Sequence, residues 1–136
     1  MKNLAYRLSF LISYFLIWIA YFVFARLFFL LFYVSETSKL DFITILKTFG
    51  YGLRLDASFT SYLSIIPFFL VVISILTSPL QIRNIIKLYS YFTITIITLF
   101  LIIDASLYAA WGVRLDTTFL SYLNTPEVMI ASASNF

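Results

Sequence analysis

Charge is nearly absent from three long stretches of this chain, and that absence constrains the fold more than any motif does. Residues 8–34 hold one charged side chain, Arg26, and residues 57–82 hold none. Residues 88–103 are again uncharged, and the apolar pattern continues through Asp104 to Val113. A helix needs roughly 20 apolar residues to cross a hydrocarbon layer about 30 Å thick. Each stretch meets that length. Composition agrees, because 62% of the residues are hydrophobic and 11% charged, against about 25% charged in soluble domains. The sequence therefore predicts one all-α, polytopic membrane domain over residues 1–136, with spans at about 8–34, 57–77 and 88–111.

Lys2 and Arg7 precede the first stretch as they would in a signal peptide, but the apolar run is about twice a signal core and no small-residue cleavage site follows. It reads as an uncleaved span. Between the first two spans, Ser38 and Asp41 resemble a capping box. Phe42, Ile45, Leu46 and Phe49 then share a helical face, so a short interfacial helix is expected over 39–49, ended by Gly50 and Gly52. Pro67 falls inside the second span, where Ser61, Ser64 or a facing helix could satisfy the carbonyl it frees. Residues 78–84 carry the Pro and polar signals of a turn. Beyond the third span, Thr125, Pro126 and Glu127 form a good start for a further helix over 126–136, cut short at Phe136. Lys2, Arg7, Arg83 and Lys87 lie at one end of the spans with no acid among them, which places the N-terminus in the cytoplasm.

One motif occurs twice. Gly52-Leu53-Arg54-Leu55-Asp56-Ala57-Ser58-Phe59-Thr60-Ser61-Tyr62-Leu63 matches Gly112-Val113-Arg114-Leu115-Asp116-Thr117-Thr118-Phe119-Leu120-Ser121-Tyr122-Leu123 at eight of twelve positions. Two spans separate the copies, so both emerge on the same side. Taken as an extended edge, each Arg and Asp can reach a neighbouring segment. Either Arg54 and Asp56 pair with Asp116 and Arg114, or the two arginines hold lipid phosphates, for which a planar fork is suited. Those four residues form the expected lipid-headgroup or interdomain platform.

Arg26 and Asp104 are the charges deepest in apolar sequence. They lie roughly 27 Å and 24 Å along their helices, at similar depth, so a buried ion pair is expected, with a snorkelling Arg26 as the alternative. Tyr51, Tyr62, Tyr108, Trp111 and Tyr122 sit near predicted span ends as interfacial aromatics. Phe15, Trp18, Phe22, Phe29 and Phe32 line one stripe of the first helix as packing or lipid contacts. The chain has no Cys and no His, which removes thiol chemistry and the commonest metal ligand and general base. No phosphate loop, metalloprotease or serine-hydrolase motif occurs. The formal net charge of +3 is spread out, so nucleic acid is not an expected partner.

Residues 104–127, running from Asp104 through Trp111, Gly112, Arg114, Asp116 and Tyr122 to Pro126 and Glu127, and ending in Ala131-Ser132-Ala133-Ser134, resemble the membrane domain of the lipoteichoic acid synthase family. These are phosphoglycerol transferases of the alkaline phosphatase/sulfatase superfamily. The block Tyr51, Gly52, Arg54, Asp56, Ala57, Ser58 resembles that family's second-span entry. The likeness is nearest to members from Gram-negative bacteria. It implies further spans and an extracytoplasmic catalytic domain with a Thr nucleophile and a divalent metal, typically manganese. Neither nucleophile nor metal ligands fall within these residues, so no catalytic residue, metal or cofactor is expected in this fragment.

The expected function is that of the anchoring, lipid-facing N-terminal part of an enzyme in the bacterial cytoplasmic membrane. That enzyme would pass a phospholipid headgroup to an extracytoplasmic glycolipid or glycan. Its partners would be anionic phospholipid and its own catalytic domain. The rival reading is a small non-enzymatic membrane scaffold or assembly protein. A transporter fragment is a third, weakened by the sparse polar lining.

Overall fold

The computed structural model describes residues 4–75 and 79–111. Its elements are all helical: α1 (Leu4–Phe32), a single turn α2 (Val34–Thr37), α3 (Phe42–Ile73) and α4 (Pro79–Trp111). Three of these are long and apolar enough to cross a membrane, over Leu4–Phe32, Phe42–Ile73 and Gln81–Tyr108. By contact the chain divides into two compact units, Met1–Phe92 and Thr93–Phe136. The first holds α1, α2, α3 and the start of α4. The second begins within α4.

The expected interfacial helix over 39–49 does not exist as a separate element. It is continuous with the second span, and Gly50 and Gly52 lie inside α3 rather than at a helix end. Glycine inside a helix costs about 1 kcal/mol relative to Ala. Breaking backbone hydrogen bonds near lipid costs several times that per group, so the helix runs through. The start also differs. Asp41, with extended backbone, is the N-cap of α3, and Ser38 instead donates its hydroxyl to the Ser35 carbonyl. At the other connection, α4 begins at Pro79, so residues 79–84, expected as a turn, form its opening turns. Proline suits that position because the first N–H groups of a helix have no partner in any case. The expected helix over 126–136 lies outside the described residues.

α1 and α3 run antiparallel. The start of α1 meets the end of α3 through Arg7, which donates to the Val71 and Ser74 carbonyls at 3.2 and 3.3 Å. The end of α1 meets the middle of α3 through Arg26. Between them runs an aromatic ladder at every fourth residue of α1, with ring centroids 6.1 Å apart for Phe10 and Tyr14, 6.3 Å for Tyr14 and Trp18, and 6.0 Å for Trp18 and Phe22. Phe22 then meets Phe59 of α3 edge-on at 5.6 Å. Trp18 and Tyr14 are buried. Of the expected stripe, Trp18 and Phe22 join this ladder, Phe29 packs on Tyr33 at 5.0 Å, and Phe32 is exposed.

The start of α4 packs on both partners. Ile82 and Ile86 are buried, and the Ser90 hydroxyl lies 3.1 Å from that of Tyr14. One bond explains how α3 tolerates proline. Pro67 has no N–H for the Leu63 carbonyl four residues earlier, and the Tyr89 hydroxyl of α4 donates to that carbonyl at 3.1 Å. The facing helix does the repair. Ser61 and Ser64 spend their hydroxyls on the Ala57 and Thr60 carbonyls instead.

Candidate functional site

The motif Gly52-x-Arg54-x-Asp56 lies entirely within α3, and helical geometry changes its meaning. At 3.6 residues per turn, Gly52 and Asp56 are one turn apart on the same face, and Arg54 points roughly the opposite way. Gly52 and Asp56 are buried, as is Thr60 one turn further on. Arg54 is exposed. The pairing of Arg with Asp two residues apart is a feature of the sequence and not of the site.

The partner of Asp56 is Arg26. Both terminal guanidinium nitrogens donate to the carboxylate, Nη1 to Oδ2 at 2.9 Å and Nη2 to Oδ1 at 2.9 Å. This is the parallel two-bond geometry that a planar fork makes with a carboxylate. The side chains are 19% and 11% exposed. Phe49, one turn before the motif and on the same side, places its ring centroid 5.9 Å from the guanidinium carbon. Gly52 provides the seat. A methyl group added there would overlap the guanidinium carbon and both terminal nitrogens of Arg26. Only glycine lets the fork lie flat against the helix.

Arg26, expected to pair with Asp104, is bonded to Asp56. The reason is register: antiparallel packing of α1 on α3 brings residue 26 opposite 52–56, as it brings residue 7 opposite 71–74. Asp104, in the second unit, is itself buried at 8% exposure and carries interactions of its own. Arg54 takes no part in this pair. Thr60 adds one unusual feature. Its hydroxyl is wholly buried and has no hydrogen-bond partner among the described residues.

Of the interfacial aromatics, Tyr51 and Tyr62 are exposed on α3, at 73% and 68%. Tyr108 is half-buried near the end of α4, and Trp111 closes that helix. Arg114, Asp116 and Tyr122 lie outside the described residues. Among the described residues no three His, Cys, Asp or Glu side chains gather as a metal site requires.

Sequence reasoning missed Gly52, Phe49 and Arg7 as functional members of the packing. The signal for the first was present: Gly and Asp four apart in a helix make a notch beside an acid, the natural seat of an arginine from a neighbouring helix.

Comparison with protein-family models, curated proteins and solved structures found no match to this chain. The fold and site define its class without them. Three apolar helices of span length, two of them joined by a half-buried ion pair, make this an all-α protein of multi-pass membrane type.

Proposed function

We propose that this chain is the membrane-embedded, lipid-facing part of a cell-envelope phosphoglycerol transferase, with its N-terminus in the cytoplasm. The observation that carries the membrane part of this reading is the spacing of the two arginine contacts. Arg7 and Arg26 stand 19 residues apart on α1, about 28 Å along a helix and close to one hydrocarbon thickness. Each guanidinium then meets protein oxygen near a boundary of the apolar layer. Large apolar side chains such as Ile12, Leu16, Ile17 and Phe24 face outward between them.

The enzymatic part rests on the resemblance of the two repeated blocks to the lipoteichoic acid synthase family. The site adds a physical reason for such a motif in a second span, because Gly52 and Asp56 fix the first span against it. Bonding to lipid phosphate or docking of a catalytic domain would then fall to Arg54 and, in the second copy, to Arg114. A divalent metal would be held by the catalytic domain and not by these residues.

Orientation is tested with single cysteines at Ser38 and Asn84, both exposed positions, probed by an impermeant thiol reagent on intact cells. Labelling at Ser38→Cys and silence at Asn84→Cys is expected, and the reverse pattern inverts the topology. The function is tested by expressing the whole reading frame that contains this chain and following labelled glycerol phosphate out of phosphatidylglycerol. Manganese-dependent transfer by the whole frame, with none by residues 1–136 alone, is expected. A frame without a sulfatase-type domain, or one that releases no diacylglycerol, contradicts the reading.

A further inference from the structure

α3 carries a second polar face that the ion pair does not use. Relative to Arg54, helical geometry puts Lys47 and Ser61 about 20° away and Gly50 and Ser58 about 40° away, with Gly52 and Asp56 about 160° round the helix. Lys47, Gly50, Arg54, Ser58 and Ser61 are all exposed. Neither Lys47 nor Arg54 has a bonded partner among the described residues. Lys47 and Arg54 stand seven residues, about 10 Å, apart along the axis, and Gly50 lies between them. A methyl group added at Gly50 would meet nothing from another part of the described chain within 4 Å. Gly52 is explained by Arg26; Gly50 has no such neighbour among the described residues. It leaves an open floor between two cations.

We infer that this face holds the phosphate of an anionic phospholipid, seated over Gly50 between Lys47 and Arg54, with the Ser58 hydroxyl one turn deeper for an ester carbonyl. Depth supports the lipid. Arg54 is two residues from Gly52, where the Arg26 guanidinium rests, and so lies about one hydrocarbon thickness from the Arg7 contact. Charge supports it too. Among the described residues Glu36 is bonded to Lys39, Asp56 to Arg26, and Asp104 is buried. Among these, Asp41, ahead of the first turn of α3, remains as an exposed acid that a second copy could offer. A bilayer of anionic lipid supplies an anion at this level. Long cationic side chains can bend toward one phosphate while their stems lie on the helix. This inference rests on the membrane reading and is independent of the enzymatic one.

The test is native mass spectrometry of the full chain in detergent, titrated with dioleoylphosphatidylglycerol or dioleoylphosphatidylcholine. The wild type is expected to bind the anionic lipid about tenfold more tightly. Arg54→Gln should remove most of that preference. Gly50→Leu should do the same with no change of charge, since it fills the floor while improving helix propensity. Arg83→Gln, which removes an exposed cation elsewhere, should leave the preference intact, and tens of millimolar inorganic phosphate should not displace the lipid. Helical circular dichroism of each variant should match the wild type. Equal losses in Arg54→Gln and Arg83→Gln overturn the site, as does equal binding of the two lipids. A dimer that Arg54→Gln dissociates overturns it in favour of a second copy. Recovery of the chain in the soluble fraction after a carbonate wash overturns the membrane reading itself, a distinct outcome from loss of lipid preference alone.

Discussion

The two ends of the α1–α3 pair are closed by arginine in different ways. Arg7 meets the last carbonyls of α3, a partial negative charge that any helix C-terminus offers. Arg26 meets a full carboxylate inside a notch, at mid-helix, where no free carbonyl exists. The first contact needs only a helix end in the right place. The second needs three positions chosen together: an arginine on α1, and on α3 an acid and a glycine one turn apart. Generic contacts tolerate substitution, and composite ones fail when any member changes.

That difference sets the order of expected losses. Asp56→Leu should be the most damaging, because it leaves a guanidinium with little access to water and no counter-charge. About 3 kcal/mol of stability should be lost, read as a lowered unfolding midpoint in detergent micelles followed by circular dichroism. Gly52→Ala comes next. Alanine favours the helix by about 1 kcal/mol, yet its methyl expels the fork from the notch, so a net loss of about 2 kcal/mol is expected in the same measurement. A gain in stability would show that Arg26 can settle elsewhere at no cost. Arg7→Gln should cost only about 1 kcal/mol, since the carbonyls of α3 keep access to water and lipid headgroups near that end.

The smallest effect sharpens the comparison from a third place, the Pro67 repair. Tyr89→Phe leaves the Leu63 carbonyl without its donor and should cost about 0.6 kcal/mol, typical of interhelical hydrogen bonds in membranes. In a Pro67→Ala background the backbone N–H returns and the same substitution should cost less. An unchanged cost would mean that the tyrosine acts through its ring.

The spans could be read from the sequence because lipid imposes a requirement that charge spacing reports directly. The first and third spans, expected at 8–34 and 88–111, lie in α1 (Leu4–Phe32) and α4 (Pro79–Trp111), the latter starting nine residues earlier than expected. The continuity of α3 could not be read so easily. Gly50 and Gly52 are stop signals in water, and the penalty that keeps the helix intact near lipid is a property of the solvent. The pairing of Arg26 was missed for another reason. Depth along separate helices gives candidates, whereas the antiparallel register of α1 on α3 sets Asp56 opposite Arg26. The motif itself was visible and its geometry was not: as an extended edge it sends Arg54 and Asp56 toward one neighbouring segment, as a helix it puts Gly52 and Asp56 on one face and Arg54 on the other. Arg54 is exposed on the opposite side of α3 from Asp56, and Asp116, its expected clasp partner, lies outside the described residues.

The most direct test of this account is a double-mutant cycle on Arg26→Met and Asp56→Leu, with unfolding in micelles as the readout. If the two side chains form one seated pair, each single variant should be destabilised by about 3 kcal/mol. The double variant should then recover most of that loss, because two apolar side chains replace a matched pair of charges. Losses that simply add in the double variant would show that Arg26 and Asp56 do not meet, and the notch at Gly52 would lose its meaning with them.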